Sequence, residues 1–153
     1  SGSLAVGNER EGVIKIISNR DITLVARSVT ADCRGKILVG GALLTKEVIH
    51  KCLALGVRGI VSGGIHWQDF NELTTLARGQ LEDVGTTIFI TEGFGFQPMN
   101  KETFDFFACH ENRFGMILTA LCKLVVPLSF EAGQEEVVEQ EPNSAIDRCG
   151  DGG

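Results

Sequence analysis

Three short apolar runs each end in glycine, and each precedes an amphipathic stretch. Ile37-Leu38-Val39 runs into Gly40-Gly41, Gly59-Ile60-Val61 into Gly63-Gly64, and Thr87–Thr91 into Gly93 and Gly95. A continuous apolar run suits a strand covered on both faces. The stretches between them place apolar residues at helical spacing. Val48, Ile49, Cys52, Leu53 and Leu55 form one stripe, Phe70, Leu73, Leu76 and Ala77 a second, and Phe104, Phe107 and Ala108 a third. Thr45 and Asn100 stand where N-caps belong, and Gly56 and Gly79 where helices stop. Alternation of this kind requires strands laid parallel and joined by helical crossovers.

The expected fold is therefore a three-layer α/β domain over residues 4–130, with a mostly parallel central sheet of βα units. Val13–Ser18 and Ile22–Ala26 are β-rich, and Asn19-Arg20-Asp21 between them reads as the turn of a β-hairpin preceding those units. Met116–Thr119 and Lys123–Val126 read as closing strands ended by Pro127. Ile37-Leu38-Val39-Gly40-Gly41-Ala42 and Ile60-Val61-Ser62-Gly63-Gly64-Ile65 echo one another 23 residues apart. Two copies read as successive βα units, because a stacked repeat protein needs about three.

Charge is unevenly placed. Residues 131–153 carry seven acids and one base, which accounts for the whole net charge of −6, and the body is neutral. The tail reads as acidic and mobile. A neutral body with scattered cations has no footprint for nucleic acid. No run approaches the ~18 apolar residues of a membrane span, and the start lacks a signal peptide's order. The five cysteines, with no CxxC, read as reduced thiols of a cytoplasmic protein, and none has metal-site spacing. Cys52 and Cys109 read as core residues. Ser1-Gly2-Ser3 reads as a cloning remnant, and the start at Leu4 as a cut from a longer chain, whose remainder is the expected partner.

In open α/β sheets ligands bind beyond the carboxyl ends of the strands. Glycine there permits unusual backbone angles and close approach, and the helix N-termini that follow favour anions. The candidate ligand-binding residues are therefore Gly40, Gly41, Gly63, Gly64, His66, Glu92, Gly93, Phe94 and Gly95. The same glycines also suit tight turns that bind nothing. No GxxxxGK[ST], GxGxxG or GxSxG motif is present, so no cofactor or catalytic residue is assigned. His66, soon after Gly63-Gly64, is the histidine best placed as a base, an anion contact or a phosphoryl acceptor, and equally reads as a surface or capping residue. It loosely resembles the histidine of phosphohistidine-swivelling domains. Glu92 is the carboxylate of these loops, and Phe94 and Phe96 suit stacking on a flat ligand.

The phrases Ile37–Ala42, Gly56–Ile65 and Ile90–Gly95, with Pro98-Met99 before Thr103-Phe104, resemble an uncharacterised bacterial family whose longer members carry them in this order. The resemblance spans about Val6 to Arg113 and implies a fragment of a longer chain. It implies no activity. The expected function is binding of a small anionic ligand at the glycine loops; the alternatives are a structural or protein-interaction module of a larger protein, a phosphohistidine-swivel-like domain, or a domain of an enzyme whose reactive residues lie elsewhere in the full chain.

Overall fold

Alternation within each short central strand fills two cores at once. In a computed structural model, which describes residues 3–79, 84–118, 123–129 and 136–140, Leu38, Ile60, Ile88 and Ile90 point to one face of a sheet. There they meet Val48, Ile49, Cys52, Leu73 and Ala77. Ile37, Val39, Val61 and Phe89 point to the other face and meet Met99, Phe106 and Phe107. Successive strand residues point oppositely, so a buried strand must be apolar at every position.

The strands are β1 (Leu4–Val6), β2 (Arg10–Ile16), β3 (Ile37–Val39), β4 (Gly59–Ile65), β5 (Thr87–Phe94), β6 (Phe114–Leu118), β7 (Lys123–Ser129) and β8 (Glu136–Gln140). The helices are α1 (Lys46–Leu55), α2 (Trp67–Gly79) and α3 (Lys101–Cys109). The sheet order is β1-β5-β4-β3-β2-β6-β7-β8. β2, β3, β4 and β5 are parallel neighbours, and the remaining pairs are antiparallel. The α/β class therefore holds, with a mixed sheet rather than a mostly parallel one. The sheet also curls. Ile117 of β6 lies over Gly59 of β4, where a Cβ would sit 2.6 Å from Ile117 Cδ1.

The expected hairpin does not form. β2 pairs with β3 on one side and β6 on the other, which leaves no edge for Ile22–Ala26. That run lies instead along the loop after β3. Ala42 N–H donates to Ile22 O at 2.7 Å, and Leu24 N–H to Leu43 O at 2.9 Å. The crossover from β2 to β3 contains no α-helix. It turns through two short 3-10 segments, Ala26–Ser28 and Ala31–Cys33, and is anchored by buried Leu24, Val29 and Cys33. Lys15 Nζ of β2 reaches Asp32 Oδ2 at 3.1 Å. The Thr30 hydroxyl and then Lys15 hold the Asp32 carboxyl down at about 2.

Two helix faces differ from the apolar count. Leu76 is exposed on α2. On α3 the buried side chains are Thr103, Phe106 and Phe107, with Phe104 half-buried and Ala108 exposed. Gly56 ends α1 in the left-handed conformation, φ +78°, as a C-terminal stop requires. Thr45 holds the N-cap position of α1 without a side-chain cap hydrogen bond. Asn100 Oδ1 accepts from Glu102 N–H at 2.9 Å and Thr103 N–H at 3.2 Å. Strands β6 and β7 form where closing strands were expected, with β7 continuing through Pro127. Of the acidic tail, 131–135 and 141–153 lie outside the described residues, and β8 pairs antiparallel with β7.

Cys33 and Cys52 are free and buried, whereas Cys109 is half-buried and disulfide-bonded, contrary to the expectation of reduced thiols. Burial, and secondarily Cys33, pushes the Cys52 thiol up to about 12 from 9.0. The folded state thus holds the neutral thiol. The stability this group contributes is complete below pH 9.0 and is lost as pH rises through about 12. In native protein at pH 8, a thiol reagent should leave Cys52 unlabelled by residue-resolved mass spectrometry, and labelling should follow unfolding by denaturant. Rapid native labelling of Cys52 would show that the α1 core opens locally.

Candidate functional site

The parallel strands β2 to β5 deliver their following loops to one edge of the sheet: Asn19–Ile22, Gly40–Thr45, His66 and Gly95–Asn100. The predicted glycines lie at that edge: Gly63 and Gly64 pack against backbone, while a Cβ on Gly40 would meet the Ser18 hydroxyl and one on Gly41 the Leu24 side chain. Gly64 pairs with Gly93 across the β4–β5 ladder, beside an irregularity between Ser62 and Gly64. A Cβ built on Gly63 would run into the Gln97 carbonyl, and one on Gly64 into the Gly95 carbonyl. The segment Gly95–Asn100 therefore crosses directly over the end of β4, like a strap. Gly95 begins it at φ +89°, a conformation that glycine tolerates and most side chains do not.

Five contacts hold the strap down. Gly95 N–H donates to Ile65 O at 2.8 Å, and Gln97 N–H to Ala42 O at 2.8 Å. Met99 N–H donates to Arg20 O at 3.2 Å, and Arg20 Nη1 donates back to Met99 O at 3.0 Å. Asn100 N–H donates to Glu92 Oε2 at 3.1 Å. Glu92, 9% exposed, thus receives the N-cap residue of α3. Met99 is fully buried in the second core.

The backbone donors of the loops are engaged in the same way. Gly40 N–H donates to Val61 O at 3.0 Å, Gly41 N–H to Asn19 O at 2.9 Å, and Gly63 N–H to Gly41 O at 3.0 Å. Ser62 Oγ also donates to Gly41 O, at 3.2 Å. His66 lies at the surface, and its carbonyl accepts from Phe70 N–H at 3.0 Å to open α2. Among the described residues no hydrogen bond joins His66 to Glu92. His66 faces solvent while Glu92 is enclosed under the strap.

What the closed edge presents outward is aromatic. Trp67 is 59% exposed, Phe96 51% and Phe94 42%. The Phe70 and Phe94 rings meet edge to face, centroids 5.7 Å apart at 67°. Phe94 and Phe96 were legible in the sequence as aromatics flanking Gly95. Trp67 and Phe70 were not, because Phe70 fits the apolar stripe of α2 and Trp67 stands one turn ahead of it. Their spacing of three residues on one helix was the available signal. The strap contacts of Arg20 and Gln97 had no local signal.

Two cavities bordered by described residues lie at the opposite, amino edge. One, about 240 Å³, is lined by Glu9, Arg10, Glu11, Arg58 and Met116. The other, about 320 Å³, is lined by Ala31, Arg34 and Leu53–Gly56. No group of three or more metal-ligating side chains occurs among the described residues, and none of the described helices is long and apolar enough to cross a membrane.

No family model, curated protein or solved structure matches the chain. The family resemblance of the glycine phrases stands on those phrases alone.

Gly63→Ala should destabilise the domain by at least about 2 kcal/mol, because backbone rather than a flexible side chain must give way. Gly79→Ala is the matched control: an added Cβ there meets nothing within 4 Å, and the change should be neutral or stabilising by up to ~1 kcal/mol. Denaturant melts of both variants check this. Equal stability of the two would mean that the strap does not rest on β4.

Proposed function

We propose that this domain is a structural, protein-interaction module that meets its partner through the aromatic surface of the carboxyl edge. The observation that carries this reading is the strap. It lies directly against Gly63 and Gly64, at the edge where Trp67, Phe94 and Phe96 are exposed. Exposed apolar patches on a folded domain mark contact surfaces, and tryptophan and other aromatics concentrate at the energetic centres of such surfaces. The rival reading is a small anion held at Gly40, Gly41, Gly63, Gly64, His66 and Gly93–Gly95. The N–H donors of Gly40, Gly41, Gly63 and Gly95 already have backbone partners. An anion would have to break those bonds first, which weighs toward the interaction module.

Two measurements separate the readings. Inorganic phosphate, ATP and acetate should each leave the melting temperature unchanged, whereas an anion at 100 times its Kd would add about 2.7 kcal/mol of stability. A phosphate-dependent rise that disappears in His66→Ala would favour the ligand site instead. The double variant Trp67→Ala, Phe96→Ala should melt within a few degrees of the wild type and bind an apolar fluorescent dye more weakly. Unchanged dye binding would rule the surface out as the exposed apolar site.

A further inference from the structure

The exposed acids Asp21, Glu47 and Glu102 of this edge make no ion pair among the described residues, whereas its lysines and arginine are engaged. The loops and first helical turns at this edge carry three lysine or arginine side chains, and all three are engaged. Arg20 Nη1 is bonded to the Met99 carbonyl at 3.0 Å. Lys46 Nζ is bonded to Glu72 at 2.9 Å, with Asp69 at 4.0 Å. Lys101 Nζ is bonded to Asp105 at 2.7 Å. The acids at the same edge are in a different state. Asp21, Glu47 and Glu102 are exposed and make no ion pair among the described residues.

Each adjoins a residue that holds this edge together. Glu47 adjoins Lys46, whose contacts with Asp69 and Glu72 tie the start of α1 to the first turns of α2, where Trp67 and Phe70 stand. Asp21 adjoins Arg20, which clasps the strap that carries Phe96. Glu102 lies just beyond Asn100, where the strap enters α3. An acid in the first turn of a helix also complements the helix dipole, and that accounts for Glu47 and Glu102 singly. It does not account for Asp21, which is on a loop, or for the engagement of every lysine and arginine nearby.

We propose that this edge docks a cationic peptide segment in which arginine or lysine alternates with apolar residues. The proposal rests on the interaction-module reading and adds the partner's chemistry. A guanidinium is attracted to the face of an aromatic ring and stacks on it with little loss of hydration. The acids beyond the rings supply the complementary charge that steers and orients such a segment. The apolar residues of the segment cover the phenylalanines.

Trp67 is the one tryptophan of the chain, so its emission reports on the site directly. The full chain is titrated with three synthetic peptides: alternating arginine and leucine, the same with serine for arginine, and the same with glutamate for arginine. The arginine peptide should shift Trp67 emission saturably. The serine peptide should bind about ten-fold more weakly and the glutamate peptide not at all. Raising salt from about 50 mM to about 500 mM should weaken the arginine peptide by about ten-fold or more, since exposed charges are screened. The triple variant Asp21→Asn, Glu47→Gln, Glu102→Gln should weaken it similarly and leave the melting temperature within a few degrees. Equal binding of the serine peptide, or of the arginine peptide to the triple variant, overturns the cationic partner and leaves the contact surface standing. If no peptide moves Trp67 emission, the docking proposal fails, and the dye comparison above judges the surface independently.

Discussion

The carboxyl edge depends on two peptide chains passing at a distance that leaves no room for a side chain. The carbonyls of Gly95 and Gln97 lie where the Cβ atoms of Gly64 and Gly63 would be. That approach lets the chain leaving β5 turn back across β4 rather than continue outward. It also sets where α3 begins. Met99 enters the second core beside Phe106 and Phe107, and Asn100 is delivered to Glu92 on one side and to its own helix on the other. Any side chain at the crossing would lift the strap and withdraw Met99 from apolar contact.

An open parallel sheet ordinarily leaves a crevice where its loops separate. Here the β2-to-β3 crossover and the strap meet above that place, joined through Arg20 and Met99 in both directions. The N–H groups of Gly40, Gly41, Gly63, Gly95 and Gln97 bond within the protein, and Asn100 caps the N-terminus of α3. What stands on top of the edge is the exposed rings of Trp67, Phe94 and Phe96 and the exposed carboxylates of Asp21, Glu47 and Glu102, which make no ion pair among the described residues.

The core gives this arrangement its rigidity. Each of the three central strands contributes side chains to both clusters, so the α1–α2 face and the α3 face cannot move independently of the sheet. The β2-to-β3 connection achieves with two short turns and three buried side chains what the other crossovers achieve with helices. Its economy leaves Ile22–Val25 free to lie along Ala42–Leu44 and brings Asn19 and Arg20 to the carboxyl edge.

The apolar period determined much of this protein locally. Continuous runs marked β3, β4 and β5, helical spacing marked α1 to α3, and the glycine after α1 and the asparagine before α3 marked their ends, because caps and periodicity act within a turn or two of chain. Partner choice was decided only by the tertiary structure. Val13–Ser18 and Ile22–Ala26 are extended-chain formers in any context, yet β2 takes strands distant in sequence on both sides, and no local signal names a distant neighbour. The helix faces were also settled late: Phe106 is buried and Ala108 exposed because α3 packs on a curled sheet whose direction the sequence does not carry. The glycines divide the same way. Their lack of a side chain says that something comes close, and only the folded chain decides that it is the protein's own backbone. His66 and Glu92 share one edge by topology, while the strap encloses Glu92 and leaves His66 in water.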